Sequence, residues 1–296
     1  MLGAIEAGGT KCVLAVGSAA GVIKARHVIA TRDPQTTLAE AAAWIGAQGH
    51  IDALGIASFG PVDLDPQSAT WGHIGKTPKP GWTGHDLAGY FQRRLGVPVG
   101  LDTDVNGAAL AEYHHGSGRG ARSLAYVTVG TGIGGGLIID GQPVHGAAHP
   151  EMGHIFPRRA ADDQDFAGIC PYHGDCLEGL ASGLAIMTRW GKLLSDLPTD
   201  HVAHDIIGGY LAQLTHAIFA MTACETVVFG GGVAKTPGLI DRIRSGAAAL
   251  DASYLPGGDR HHIAAPALGD DAGIVGAMML AEHAASSSGV TPDRGH

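Results

Sequence analysis

Twice in this chain an apolar, β-prone run breaks at a cluster of glycines and resumes as a second run, and no other feature narrows the possible folds so far. Residues 4–7 and 12–17 flank Gly8-Gly9-Thr10-Lys11, and residues 123–129 and 137–139 flank Gly130-Thr131-Gly132-Ile133-Gly134-Gly135-Gly136. Each pair reads as two strands joined by a glycine turn. Each is followed by alternating strand and helix patterns, so two related α/β halves with a cleft between them are expected. Further strands are expected at 21–29, 51–59, 97–101 and 226–229. Helices are expected at 37–48, 86–95, 104–114, 184–194, 204–223, 238–250 and 272–283. The Gly60-Pro61 pair makes a sharp strand exit. Residues 71–82, rich in Gly, Pro and Trp, read as a long ordered loop, and 286–296 as a polar disordered tail.

A length of 296 residues suffices for two domains of ordinary size. The net charge of −9 argues against a general nucleic-acid surface. No apolar run is long enough to span a bilayer, and the N-terminus lacks a cationic leader. Four cysteines are few for a secreted disulfide scaffold. Cys12 and Cys224 lie among apolar neighbours and read as small core residues. A reducing cytoplasm is the expected compartment.

The other two cysteines belong to a constellation, His154-x15-Cys170-x2-His173-x2-Cys176. Residues 170–176 are too short and too Gly/Pro-kinked for a helix, and in a tight turn two thiolates and an imidazole can converge on one ion. His154 would close a four-ligand tetrahedral set, the arrangement of structural zinc. A pair of thiols in a loop, or a disulfide, is the plainer alternative. A metal there would fix two carboxylates in space, Glu151 and Glu178.

No G-x-x-x-x-G-K-[S/T] is present, so the chain is not a P-loop protein. Three glycine turns are nevertheless candidates for phosphate and nucleotide contacts: Gly8-Gly9-Thr10-Lys11, Gly130-Thr131-Gly132 and Gly230-Gly231-Gly232. Consecutive backbone N–H groups in such turns form anion-binding concavities. Any one alone is an ordinary hairpin; their conjunction in this order carries the reading.

Taken together, Glu6-Ala7-Gly8-Gly9-Thr10-Lys11, Asp102-Thr103-Asp104-Val105-Asn106, the run 128–136, Glu151-Met152-Gly153-His154 and Cys176-Leu177-Glu178 resemble the ROK group of sugar kinases. The resemblance extends from Gly3 to about His283. It implies an α/β, two-lobed actin-like or hexokinase-type (ribonuclease H-like) ATPase fold. One lobe would comprise residues 1–115 and 272–285, the other 116–271. Ser58-Phe59-Gly60-Pro61-Val62-Asp63, Thr77-Pro78-Lys79-Pro80-Gly81-Trp82 and His149-Pro150-Glu151 are similar to the bacterial fructokinases. Two departures stand out. Thr103 replaces the Asn that many members carry before the catalytic Asp, which alters a sugar contact, and His173 replaces a Cys while keeping four zinc ligands.

The resemblance implies ATP-dependent phosphorylation of a hexose, fructose favoured, with Asp104 as general base. Mannokinase, glucokinase or broad hexokinase activity is the alternative. A sugar-responsive regulator is a second alternative, disfavoured because the first motif begins too near the N-terminus to leave room for a DNA-binding helix pair. Gly60, Pro61, Thr103, Asp104, Glu151, His154 and Glu178 would meet the sugar. Gly8, Gly9, Thr10, Lys11, Thr131, Gly132, Gly231 and Gly232 would meet ATP. Structural zinc, Mg²⁺ accompanying ATP and a homodimer are expected, with Glu6 or Asp102 helping to hold Mg²⁺ through water. Asp102 is assigned to capping or hydrogen bonding, Asn106 to a helix start, and the remaining histidines to surface or core.

Overall fold

The computed structural model of the protein describes residues 1–18 and 22–287. Strands β1 (Leu2–Ala7), β2 (Lys11–Ser18), β3 (Val22–Ala30), β4 (Ala53–Ser58) and β5 (Val99–Thr103) form one sheet in the order β3-β2-β1-β4-β5. Strands β6 (Ser123–Val129), β7 (Ile133–Ile139), β8 (Gln142–Pro143), β9 (Thr226–Gly230) and β10 (His262–Ala264) form another in the order β10-β9-β6-β7-β8. The two orders are the same pattern: an antiparallel three-stranded ribbon extended on one side by two parallel strands. The doubled strand–glycine–strand signal therefore marks a doubled architecture.

The helices are α1 (Pro34–Ala47), α2 (Leu87–Leu95), α3 (Asp104–His115), α4 (Leu177–Ala181), α5 (Gly183–Trp190), α6 (Ala203–Thr222), α7 (Leu239–Asp251) and α8 (Ala272–Ser287). The chain divides into two compact units. The first contains Met1–Ala111, Val144–His149 and the chain from Asp270 onward; the second contains Glu112–Pro143 and Pro150–Gly269.

In the first unit, α1 and α2 cover one face of the sheet with Leu38, Ile45, Leu87 and Phe91, alongside the fully buried Trp82. The opposite face is built from small residues, Ala4, Ala15, Ala53 and Ala57, against Ile274, Ala277 and Met278 of α8. That face is flat enough for helix backbone to touch strand backbone. A Cβ on Gly55 would lie 1.8 Å from the Ala277 carbonyl oxygen, so only glycine fits there.

Local chemistry sets the boundaries. Helix α1 starts at Pro34 rather than at residue 37, because Asp33 accepts from Thr36 N at 2.9 Å and proline suits the first turn. Asp86 caps α2 in the same way, and Gly96, at φ +68°, ends it. β5 begins at Val99, after Pro98, whose nitrogen cannot donate to a ladder. The run expected as one helix at 184–194 stops at Trp190, where left-handed Gly191 closes α5. Gly134, Gly135 and Gly136, read as turn residues, lie within β7 opposite Thr128, Val127 and Tyr126. The tail expected from residue 286 is helical at its first two positions: Ser286 and Ser287 complete α8, Ser286 Oγ donating to the Glu282 carbonyl. The remainder, 288–296, lies outside the described residues.

Candidate active site and metal centre

Strand register gathers the candidate motifs of the first unit. β1, β4 and β5 are parallel neighbours, and their last residues, Ala7, Ser58 and Thr103, stand side by side. The turn Gly8–Lys11, the exit Gly60-Pro61 and the segment Thr103-Asp104 thus leave the same carboxyl edge of one sheet. Ligands in open α/β sheets bind at that edge. The hairpin is tight, with Gly8 N donating to the Lys11 carbonyl at 3.0 Å, and Thr31 pins it through its Oγ, which donates to the Gly8 carbonyl at 2.7 Å.

Asp104 is the first residue of α3 and half-buried, so its carboxylate sits where the helix dipole stabilises an anion. The cap of α3 is neither aspartate. Thr103 Oγ accepts from Asn106 N at 3.1 Å, which uses one of the hydroxyl's two lone pairs and leaves its proton to donate. Asp102, 3% exposed in its side chain, is held by several donors: Thr103 N at 2.7 Å, Asn106 Nδ2 at 2.7 Å and His145 Nε2 at 3.1–3.2 Å. The Asp102 hydrogen bond raises the His145 pKa against the opposing effect of burial. Glu6 differs. Burial raises its carboxyl pKa, and its Oε2 has no hydrogen-bond partner among the described residues. Of the two carboxylates considered for Mg²⁺, Glu6 is the one with an open oxygen.

His145 is a site neighbour that sequence reasoning missed; no local spacing points from residue 145 back to residue 102. His149 is another. Its Nε2 accepts from Val62 N at 3.3 Å, just beyond Gly60-Pro61.

The second unit repeats the arrangement. Thr128 of β6 pairs with Gly230 of β9, so Gly130-Thr131-Gly132 and Gly231-Gly232 emerge together at the carboxyl edge. Gly231 has φ +87° and approaches the Val129 backbone so closely that a Cβ would lie 2.5 Å from its carbonyl oxygen. Glu178, on α4, turns to the same edge: its Oε2 accepts from Ile133 N at 2.9 Å. It is half-buried and bonded, not a free surface carboxylate.

The metal-ligand set lies in this unit on two adjoining segments. A short 3-10 turn, Met152–His154, rests on β7, where a Cβ on Gly153 would come 2.0 Å from the Ile133 carbonyl oxygen. The loop 170–176 is closed by reciprocal hydrogen bonds between Cys170 and Gly174, and Leu177 N donates to the Ile155 carbonyl, tying the segments together. His154 Nδ1 lies 3.3 Å from His173 Nδ1, 3.4 Å from Cys176 Sγ and 3.8 Å from Cys170 Sγ, and Cys170 Sγ is 3.7 Å from His173 Nδ1. All four ligand atoms fall within 4.8 Å of one another. A tetrahedral site with metal–nitrogen bonds of about 2.0–2.1 Å and metal–sulfur bonds of about 2.3 Å has edges of about 3.3 Å N–N and about 3.6 Å N–S. The four distances above lie within about 0.2 Å of those edges, so the set could hold such an ion. Both cysteines are free thiols, not a disulfide, and burial pushes the Cys176 thiol up to about 11, a cost that a cation would offset. The other nitrogen of His154, Nε2, lies 3.9 Å from Glu151 Oε2.

The sequence profile described as the ROK family matches residues 2–284. The chain belongs to the ROK family. It is 46% identical to a fructokinase of Zymomonas mobilis, over 94% of this chain and 95% of that protein. It is 42% identical to a putative fructokinase of Bacillus subtilis, over 96% of each. Among solved structures, a ROK hexokinase from Thermus thermophilus superposes with a TM-score of 0.77 at 25% identity, covering 97% of this chain and 99% of that one. A ROK glucokinase from Streptomyces griseus, solved with glucose and AMPPNP, gives 0.75 at 26% identity, covering 95% and 99%. The fold is the actin-like ATPase fold of the ROK kinases.

Proposed function

We propose that the protein is an ATP-dependent fructokinase that phosphorylates D-fructose to fructose 6-phosphate, with Asp104 as general base and a structural zinc ion at His154, Cys170, His173 and Cys176. The observation that carries this reading is the in-register gathering of Gly8–Lys11, Gly60-Pro61 and Thr103-Asp104 at one sheet edge. The substrate choice is supported by fructokinases among its relatives, aligned over nearly the whole chain.

In this reaction the fructose 6-hydroxyl oxygen bonds to the γ-phosphorus of ATP, the bond from that phosphorus to the bridging oxygen breaks, and ADP departs. Asp104 accepts the hydroxyl proton. Phosphoryl transfer needs positioning and charge stabilisation more than covalent help. Thr10, Lys11 and Thr131, with the backbone N–H groups of their turns, bind phosphate oxygens. Gly231 and Gly232 accept the adenosine face. Gly60, Pro61, Thr103, Glu151, His154 and Glu178 orient the sugar, Thr103 through the hydroxyl proton that its cap bond does not use. Mg²⁺, when bound with ATP, neutralises phosphate charge, and Glu6 is the residue suited to hold its hydration water. His154, Cys170, His173 and Cys176 would hold the zinc, which would tie the Glu151–His154 segment to the start of α4, the helix that carries Glu178. A reducing compartment suits this chemistry, since the ion requires Cys170 and Cys176 as thiolates.

Coupled assays of fructose, mannose and glucose with ATP test the substrate. Fructose is expected to give the highest kcat/KM, and preference for glucose refutes the choice. Asp104→Asn is expected to lower kcat by about 10²–10⁴-fold with the fold intact. Near-normal turnover dismisses the base assignment.

A further inference from the structure

The mechanism above leaves the loop 71–82 of the first unit without a role. It is far from slack. Trp82 is fully buried and donates from Nε1 to the Arg32 carbonyl at 2.8 Å, with its ring edge-on to Phe59 at 5.1 Å. Thr83 Oγ donates to the Thr77 carbonyl at 3.2 Å and accepts from Thr77 N at 3.2 Å. Trp82 N donates to the Lys79 carbonyl at 3.3 Å, closing a turn over Pro80 and left-handed Gly81. Prolines at 78 and 80 limit the backbone on both sides of Lys79. The loop is therefore a rigid mount, and what it mounts is a cation.

Lys79 is half-buried, and its Nζ lies 5.5 Å from the centre of the Phe59 ring. Among the described residues no carboxylate pairs with it. Desolvation lowers its pKa, so the fold holds this ammonium at a cost with no counter-charge among the described residues. The stem points at the phosphate turn: a Cβ placed on Gly9 would lie 3.8 Å from Lys79 Cε and 4.0 Å from Nζ. Gly9 is exposed, so a group seated on that turn would meet the ammonium.

We propose that Lys79 binds the terminal phosphoryl group of the nucleotide at the Gly8–Lys11 turn, as a second cation beside Lys11. This rests on the kinase reading and deepens it. A lysine whose missing counter-charge is the substrate's phosphate explains why no carboxylate stands beside it. It also explains why a residue with a flexible stem is held between prolines and laid on an aromatic ring: fewer rotamers remain to be frozen when the anion arrives. Lys79 exchanges no proton in the reaction; it offsets charge on the group being transferred.

The test is calorimetric titration of wild type, Lys79→Met and Lys79→Arg with AMPPNP, ADP and fructose, Mg²⁺ present throughout. Methionine keeps the apolar stem on Phe59 and removes only the charge. A charge-assisted contact corresponds to a loss of roughly 10–100-fold, so Lys79→Met should weaken AMPPNP by that factor. ADP should change by less than about threefold and fructose not at all. Lys79→Arg should restore most of the AMPPNP affinity. An equal loss for AMPPNP and ADP, no loss for either, or a loss confined to fructose overturns the assignment. Should Lys79→Met prove insoluble, Lys79→Gln is read the same way. A wild-type protein that binds neither nucleotide refutes the kinase reading and this proposal with it. A wild type that binds both, beside a variant that binds AMPPNP equally well, refutes Lys79 alone.

Discussion

Replacing His145 by glutamine probes its ion pair with Asp102, two residues before the proposed base. His145 Nε2 is 3.1 Å from a carboxylate oxygen of Asp102, two residues before Asp104, and Asn106 shares the contact. A hydrogen bond to a charged group contributes about 1.5–3 kcal/mol. Here the two ends differ in exposure, 37% for the His145 side chain against 3% for Asp102, so water screens the imidazolium. Screening discounts the bond to below that range, about 1 kcal/mol. The sign with pH follows from the direction of the shift. The hydrogen bond to Asp102 raises the folded pKa of His145 above the unfolded value of about 6.5. Its stabilisation is thus complete below about pH 6.5 and is lost as pH rises through the folded pKa. Glutamine keeps a neutral donor.

Urea denaturation of wild type and His145→Gln should therefore differ by about 1 kcal/mol near pH 6 and by only a few tenths near pH 9. Proton NMR titration supplies the pKa itself, the variant identifying the His145 signal by its disappearance from among the 17 histidines. A stability difference that is constant with pH, or larger in alkali, refutes the ion pair. So would a His145 that titrates below about 6.5 in the folded protein.

Three further outcomes are expected. Purified protein should carry one zinc per chain by mass spectrometry, and chelation should expose loop 170–176 to proteolysis while activity falls; a verified metal-free preparation with full activity removes the ion from the account. Because even outer-shell changes cost metal sites about 10–100-fold in affinity, Cys176→Ala, deleting a fully buried ligand, should lose more than that, whereas a disulfide reading predicts no metal dependence. Gly55→Ala should destabilise by the upper end of about 1–3 kcal/mol, since the added Cβ meets helix backbone at 1.8 Å; an unchanged melting temperature contradicts the close seating of α8 on β4.

What was legible in the sequence was what local rules encode. The strand at 123–129 matches β6 because β-branched and apolar residues there meet no competing signal. Helix α3 was legible through Asp104, although its cap was not: three polar residues in a row can each serve, and only the hydrogen bond from Asn106 N to Thr103 decides. The metal ligands were legible because three of them crowd into seven residues. The short helix α4 was not, since five residues beginning at Leu177 have no periodicity to detect. The positions that depended on tertiary register escaped. Nothing near residue 145 announces a partner at 102, and the run 77–82 reads as Pro/Gly-rich loop until Trp82 is found buried beneath it.

The glycines show why one composition signal carried two meanings. Clusters at strand ends suggest backbone approaching a ligand, and Gly9 and Gly130 stand at sheet edges where that reading is open, whereas a Cβ on Gly8 would meet the Lys11 carbonyl oxygen at 2.8 Å and one on Gly132 the Glu178 Oε2 at 2.5 Å. Gly55, Gly135 and Gly153 lie elsewhere and are explained by protein meeting protein: a helix backbone, the Met152 side chain and the Ile133 carbonyl occupy the space a Cβ would fill. The two groups depend on each other. Gly153 lets the Met152–His154 turn sit down on β7, whose first residue, Ile133, follows the Gly130–Gly132 turn, and the same residue's N–H holds Glu178. One strand end thereby holds three candidate site features in place: His154, Glu178 and the Gly130–Gly132 turn. A Gly153→Ala substitution should consequently impair metal retention and sugar affinity together, although residue 153 itself touches neither ligand. Loss of one without the other would separate features that this packing joins.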